Sequence, residues 1–273
     1  MVQYQKLMKY TEIKMNKYNN ILKSIIYLAW CRNKARFVKT KLGSFWIGLT
    51  NLLQIGCLAF VYTVVFSIQD KREYIAYIAF GILFWNSLSM LISDFTTVLN
   101  RSRDRLLSTS LNIFDVILEE YIFAIQNLLI SILMVFPVVF IINPEIMINF
   151  FSLKFILGIT LYLLNALVLA ICMSGVGLLS PDLHQLIPII LQLSFLTSPI
   201  LYFKKTLIGR EWIYQLNPFY KPVGAIRDTL IFSNDIKIKD LFSDIFIYSL
   251  MILSIFYLLR KFSRKINLYV DRN

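Results

Sequence analysis

The sequence predicts an all-α membrane protein with six transmembrane helices, and three observations support this fold class. Hydrophobic residues make up 58% of the 273 residues, and charged residues make up 16%. The mean hydropathy of the chain is +0.65, and a soluble domain of this length has too little interior to bury so many apolar residues. The stretch Leu42–Ile68 has no Asp, Glu, Lys or Arg, and five cations lie just before it, between positions 32 and 41.

The first predicted span is this uncharged stretch of 27 residues. A helix of that length extends about 40 Å, whereas the hydrocarbon core of a bilayer is about 30 Å thick. Cations beside one end of an apolar span hold that end in the cytoplasm, so this span enters the membrane from the inside.

Residues 1–41 are predicted to form a basic cytoplasmic tail that ends in an amphipathic helix at the inner interface. Ile21, Ile25, Leu28 and Ala29 fall on one face of this helix, and the lysines fall off it. The alternative is a frayed cytoplasmic tail.

Five further apolar stretches predict the remaining spans. We expect Pro137 to kink the third span, Gly175 and Gly177 to permit close helix contact in the fourth, and Pro188 and Pro199 to break the fifth. The five spans cover about Tyr74–Ser93, Tyr121–Ile142, Phe155–Leu179, Leu186–Phe203 and Phe242–Leu259.

The two longest connections are predicted to have structure of their own. Asp94 is expected at the inner end of the second span, and the segment 100–112 is too polar to cross a membrane. Aromatic and apolar residues recur through 204–240, and Asn217–Pro218 divides that segment. Two short half-inserted helices with a turn at Asn217–Pro218 would explain the pattern; the alternative is a folded outer loop that never touches lipid.

Both termini are predicted to be cytoplasmic, because six spans return the chain to the side where it started. Lys and Arg number ten in residues 1–41, three in 100–113 and five in 260–273, against ten in all outer segments. The cations therefore follow membrane orientation, and we expect no binding of nucleic acid despite the net charge of +12.

The sequence contains no catalytic or metal-binding motif, and the middles of the spans carry no charge. The single histidine, His184, lies near Asp182 in the predicted inner turn; the two could form an acid–base pair, but helix capping is the favoured interpretation. Glu119 and Glu120 are expected to anchor the inner end of the third span in water. We therefore expect no enzyme activity, no metal and no cofactor in this chain.

ATP-driven transport by this chain would need a second polypeptide. No Gly-x-x-x-x-Gly-Lys-[Ser/Thr] loop occurs, so ATP and Mg²⁺ would be used by a separate ATPase on the inner side.

Aromatic and amide side chains are frequent in the predicted spans. Phe and Tyr together number 37. Rings can stack on the C–H faces of sugars while amides meet their hydroxyl groups, so such a wall can pass a hydrated polymer; the alternative is that these rings face lipid. The candidates for lining a channel are Trp46, Tyr62, Phe66, Phe84, Trp85, Phe195 and Tyr202.

Two parts of the chain carry loose motifs that are specific in combination. The first contains a basic stretch followed by Leu42, Gly43 and Trp46, then Asn51, Leu52, Leu53 and Gln54, then Val61, Tyr62, Val65 and Phe66. The second contains Pro181-Asp182-Leu183, Ile187-Pro188, the run Leu-Thr-Ser-Pro-Ile-Leu-Tyr at 196–202, Leu216-Asn217-Pro218-Phe219 and Arg227-Asp228. In order and spacing, this set resembles the permease subunits of bacterial ABC-type polysaccharide exporters.

The resemblance implies a homodimer of six-span domains, here residues 42–260, in the bacterial inner membrane, with two copies of a separate ATPase and a basic cytoplasmic tail at 261–273. It also implies a cytoplasmic coupling helix at about 100–112 and an outer re-entrant pair at about 205–232. The candidates for contact with the ATPase or a lipid diphosphate are Arg101, Arg103, Asp104, Arg105, Asp182 and His184, and those for an outer gate are Trp212, Asn217, Pro218, Phe219 and Arg227.

The function that the resemblance implies is export of a lipid-linked polysaccharide, with O-antigen as the leading expectation. Capsule or teichoic acid export, and export of drugs or small lipids by the same type of permease, are the alternatives. A membrane-bound transferase and a structural scaffold are further alternatives from other classes.

Overall fold

The chain is built from helices, and no strand occurs in the part that a computed structural model describes, namely residues 22–65, 70–108, 113–179, 182–232, 249 and 253. A 3₁₀ helix covers Lys204–Leu207. The α-helices are α1 (22–36), α2 (Phe45–Val65), α3 (Lys71–Arg101), α4 (Arg103–Ser108), α5 (Ile113–Ile142), α6 (Ile146–Phe150), α7 (Leu153–Leu179), α8 (Leu183–Thr197), α9 (Trp212–Gln215) and α10 (Tyr220–Phe232).

Four of these helices, α2, α3, α5 and α7, are long and apolar enough to cross a membrane. They correspond to the first four predicted spans, and α5 continues through Pro137. Helix α3 is longer than predicted: Asp70 caps its start by accepting a hydrogen bond from the backbone N–H of Glu73, and it continues to Arg101. Asp94 therefore lies inside the helix, because no Gly or Pro interrupts the chain between residues 82 and 108.

The fifth predicted span is broken at Pro199, as expected, but the break expected at Pro188 is wrong. Helix α8 has 15 residues and is only about 22 Å long, which is shorter than the hydrocarbon core. It passes through Pro188 but ends before Ser198, whose ψ of 142° is extended. A residue that precedes a proline is driven out of the helical region, so Pro199 ends the helix here.

Helix α1 packs one face against α5, and the predicted apolar face needs correction. Ile25, Ala29 and Asn33 are buried, whereas Leu28 is half exposed. The amide of Asn33 donates to the side-chain oxygen of Gln126 on α5 at 3.1 Å. The buried face thus follows a spacing of four residues and includes a polar member.

Helix α3 is the centre of the bundle and contacts α2, α5, α7, α8 and α10. Its crossing with α7 is closest at Gly177, where an added Cβ would lie 1.8 Å from the backbone oxygen of Thr96. The sequence-based prediction of close contact at this glycine is confirmed.

The segment that follows α8 folds as a compact unit of three short helices. The turn predicted at Asn217–Pro218 lies between α9 and α10. Residues 1–21 of the N-terminal tail, Phe66, the sixth predicted span and the C-terminal tail lie outside the described residues, apart from positions 249 and 253.

Candidate functional site

Five charged side chains form a cluster where α3 and α4 meet the start of α5. Arg32 of α1 binds Glu120 with two hydrogen bonds, of 2.6 and 2.8 Å. Arg101 donates to the same carboxylate at 2.8 Å, and Arg105 of α4 donates to Glu119 at 2.7 Å. The cluster thus joins α1, α3, α4 and α5 by side chains alone.

Glu119 and Glu120 are 7% and 3% exposed, so the prediction that they anchor a helix end in water is wrong. A buried carboxylate needs a counter-charge, and two adjacent ones on α5 need several, which the arginines supply. The hydrogen bond to Glu119 raises the pKa of Arg105. The guanidinium of Arg32 also lies 3.7 Å from the ring centroid of Phe123, which holds it against α5.

Three arginines and two glutamates leave this cluster with an excess positive charge, beside a cavity of about 280 Å³. Arg103 and Asp104, on the same short helix as Arg105, are exposed, and neither lines this cavity. Of the predicted coupling residues, Arg101 and Arg105 therefore bind Glu120 and Glu119 within the chain, whereas Arg103 and Asp104 lie at the surface.

The remaining two predicted coupling residues lie at the start of α8. Asp182 is exposed and makes no side-chain capping bond, so it does not cap α8 in the predicted way. The Nδ1 atom of His184 lies 3.1 Å from the hydroxyl oxygen of Thr96. The same hydroxyl donates to the backbone oxygen of Ser93.

Amide side chains of α2 and α3 and a hydroxyl group of α5 bind one another in a continuous chain. Asn86 donates to Asn51 and to Gln54, each at 2.8 Å. Asn51 donates to the hydroxyl of Ser131 at 2.9 Å, and Ser131 donates to the backbone oxygen of Asn127 at 3.0 Å. Asn51, Asn86 and Ser131 thus bind one another where they are partly or fully buried, and Gln54 is exposed at one end of the chain of hydrogen bonds.

Two of the predicted channel-lining aromatics meet on one surface. The rings of Trp85 on α3 and Phe195 on α8 lie 5.7 Å apart between centroids. They border an open cavity of about 320 Å³ that Gln54 and Gln192 also line. This surface between α2, α3 and α8 combines rings with amides.

The other predicted lining residues lie elsewhere. Phe84 is fully buried against Tyr162 of α7, with ring centroids 5.3 Å apart, so it reaches no surface of this chain. Trp46 lines a different cavity, between α2, α3 and α5. Tyr62 is half-buried. Tyr202 donates to the backbone oxygen of Thr197, so it closes the turn after α8.

The predicted outer-gate arginine, Arg227, is fully buried and holds the short helices onto α3. It donates to the backbone oxygen of Pro199 at 2.6 Å and to the hydroxyl of Tyr220 at 2.9 Å. It also donates to Asp228, and its guanidinium lies 3.8 Å from the ring centroid of Tyr77 on α3. Each polar group of this arginine thus meets a partner.

Asn217 fastens the turn between α9 and α10 to the end of α8. Its amide donates to the backbone oxygen of Ser194 at 3.0 Å and to the hydroxyl of Ser198 at 2.9 Å. Its side-chain oxygen accepts from the backbone N–H of Phe219, which forms the turn. Trp212 is exposed, in contrast to these anchored residues.

No group of three or more His, Cys, Asp or Glu side chains suited to a metal ion occurs in the described part of the chain.

Comparison with protein families gives one match. The family model described as ABC-2 type transporter matches residues 26–231, which is more than half of the chain and includes α2 to α9. Comparison with curated proteins gives no match.

Proposed function

The chain belongs to the ABC-2 type transporter family, and from this premise we propose that it is half of an ATP-driven exporter of a lipid-linked polysaccharide. The permeases of this family span the membrane and carry no ATPase of their own. The observation that carries the proposal is the combination of this family membership with a sequence that lacks a phosphate-binding loop. A separate ATPase, which uses ATP and Mg²⁺, supplies the energy.

In this proposal the ATPase binds at helix α4. Arg105 of α4 binds Glu119 of α5, and Arg32 of α1 lies 3.8 Å from the same carboxylate, so a displacement of α4 is passed to both helices. Arg103 and Asp104 face outward and are the contact residues. This assignment takes the α4 end of the bundle as cytoplasmic, in the inner membrane of a bacterium, in agreement with the cations of residues 1–41.

The proposed transport path lies between two copies of the chain, along the surface formed by α2, α3 and α8. Trp85, Phe195 and Gln192 supply the rings and the amide that suit a sugar polymer. Six spans, with the sixth at about 242–259, and a re-entrant unit at 205–232 complete each half in this proposal. O-antigen is the leading cargo, with capsule and teichoic acid as alternatives.

The class of cargo is tested by measuring the rate of ATP hydrolysis by the purified complex of this chain with its ATPase. We expect turnover to rise on addition of a lipid-linked polysaccharide and to stay unchanged with amphiphilic drugs. Phe195→Ala should reduce this stimulation without reducing co-purification of the ATPase, because the half-buried ring lines the cavity between α2, α3 and α8, which no residue of α4 lines. Leu193→Ala, on the same helix but outside the cavity, is the matched control.

A drug or small-lipid exporter is the second candidate, since the family match alone does not distinguish cargoes. Stimulation by amphiphilic drugs, with none by glycan, would replace the first candidate by this one.

A further inference from the structure

The cavity that Trp46 lines has a volume of about 260 Å³ and lies within a single copy of the chain, between α2, α3, α5 and the α1–α2 connection. Its volume equals that of about nine water molecules, at about 30 Å³ each. The lining side chains that matter here are Arg36, Trp46, Asn51, Asn86, Asp94 and Asn127.

Asn127 lines this cavity with a side-chain amide whose hydrogen-bonding groups are unsatisfied. It is 4% exposed, and neither its amide nitrogen nor its oxygen has a hydrogen-bond partner in the described part of the chain. Its neighbours Asn51, Asn86 and Ser131 are bound to one another. A buried amide left unpaired costs about 1–3 kcal/mol, which a ligand with both a donor and an acceptor would offset.

Arg36 and Asp94 bring opposite charges to the same cavity. Neither forms a salt bridge with another described residue. Helix α3 has 31 residues and is about 46 Å long, so about 8 Å emerge at each end when it is centred on a core of about 30 Å. Asp94 lies about 10 Å from the Arg101 end, which is the level where lipid head groups meet the core.

We propose that this cavity binds a polyol phosphate, with the phosphate on Arg36 and hydroxyl groups on Asp94 and Asn127. An arginine pairs with phosphate, a carboxylate accepts from a hydroxyl, and a hydroxyl can both donate to and accept from one amide. Trp46 offers an apolar face to the C–H groups of the polyol. The group belongs to a glycerol phosphate lipid of the inner leaflet or to the sugar phosphate of the cargo.

Binding of the cargo's sugar phosphate rests on the proposed function, whereas binding of a glycerol phosphate lipid does not. The test is native mass spectrometry of the full-length chain in detergent, titrated with dihexanoyl phosphatidylglycerol, farnesyl phosphoglucose or dihexanoyl phosphatidylcholine. This measurement needs neither the ATPase nor transport, so its failure is separate from a failure of the ATP-hydrolysis test.

We expect at least one of the first two probes to bind about tenfold more tightly than phosphatidylcholine, which has no hydroxyl group on its head. Arg36→Gln and Asp94→Asn should each weaken that binding about tenfold or more, the loss expected for a hydrogen bond to a charged group. Asn127→Leu should weaken it as well. Asn165→Leu, which removes a buried amide from α7 outside the cavity, should leave it unchanged.

Each result decides the proposal. Tight binding of phosphatidylglycerol alone assigns the site to a membrane lipid, and tight binding of the phosphosugar alone assigns it to the cargo. Equal affinity for all three probes, or no effect of Arg36→Gln on binding, overturns the proposal. Arg36 is exposed, so this variant is expected to fold even if Asn127→Leu does not.

Discussion

At the scale of single residues, the buried charges define what is distinctive in this protein. Two adjacent carboxylates on α5 are shielded from water and held by arginines from three other helices. The sequence suggested a site in residues 101–105 but not that Arg32 belongs to it, because Arg32 and Glu120 are 88 positions apart. The pair Glu119–Glu120 was the available signal, since adjacent acids beside an apolar span require either water or cations.

The cluster yields a stability prediction for Glu120→Gln. The change leaves Arg32 and Arg101 without their shared counter-charge, and we expect a loss of about 1–3 kcal/mol. Thermal unfolding in detergent should show a midpoint several degrees lower. Glu145→Gln, an exposed residue without a capping bond, is the matched control, and an equal effect of the two changes would contradict the account.

At the scale of elements, the packing of α3 determines the bundle. Hydropathy and length predicted α2, α3, α5 and α7, because a long apolar helix is a local property of sequence. The end of α8 was predicted from Pro199, because a proline restricts the backbone of the residue before it. The break expected at Pro188 was wrong, since α8 continues through that residue. The buried face of α1 was misjudged at Leu28, because contact with α5 is not encoded in periodicity alone.

The α3–α7 contact yields a prediction for Gly177→Ala. An added methyl group would meet the backbone of Thr96, which cannot move aside as a side chain can. We expect a loss of about 3 kcal/mol or a failure to accumulate folded protein. Gly56→Ala is the matched control, since a Cβ at Gly56 meets nothing within 4 Å. Equal folded yield of the two variants, measured by size-exclusion chromatography, would disprove the close contact.

At the scale of the whole molecule, the charge distribution and the order of helices predict which end faces the cytoplasm. In a chain whose native cysteines are replaced, Arg103→Cys and Arg272→Cys should react with a membrane-impermeant thiol reagent only from the cytoplasmic side. Lys205→Cys, exposed beside the short helices, should react only from outside. Labelling of positions 103 and 272 on opposite faces would contradict both the six-span topology and the α4 assignment.

The organisation of the molecule as a transport half without a motor is the central claim, and reconstitution tests it most directly. The chain is placed in liposomes with and without its co-purifying ATPase, and the movement of a lipid-linked polysaccharide across the bilayer is measured on addition of ATP and Mg²⁺. The account predicts movement of the glycan only when both proteins and ATP are present. It also predicts that Arg103→Glu abolishes both ATPase binding and movement of the glycan. Movement of glycan by this chain alone would contradict it.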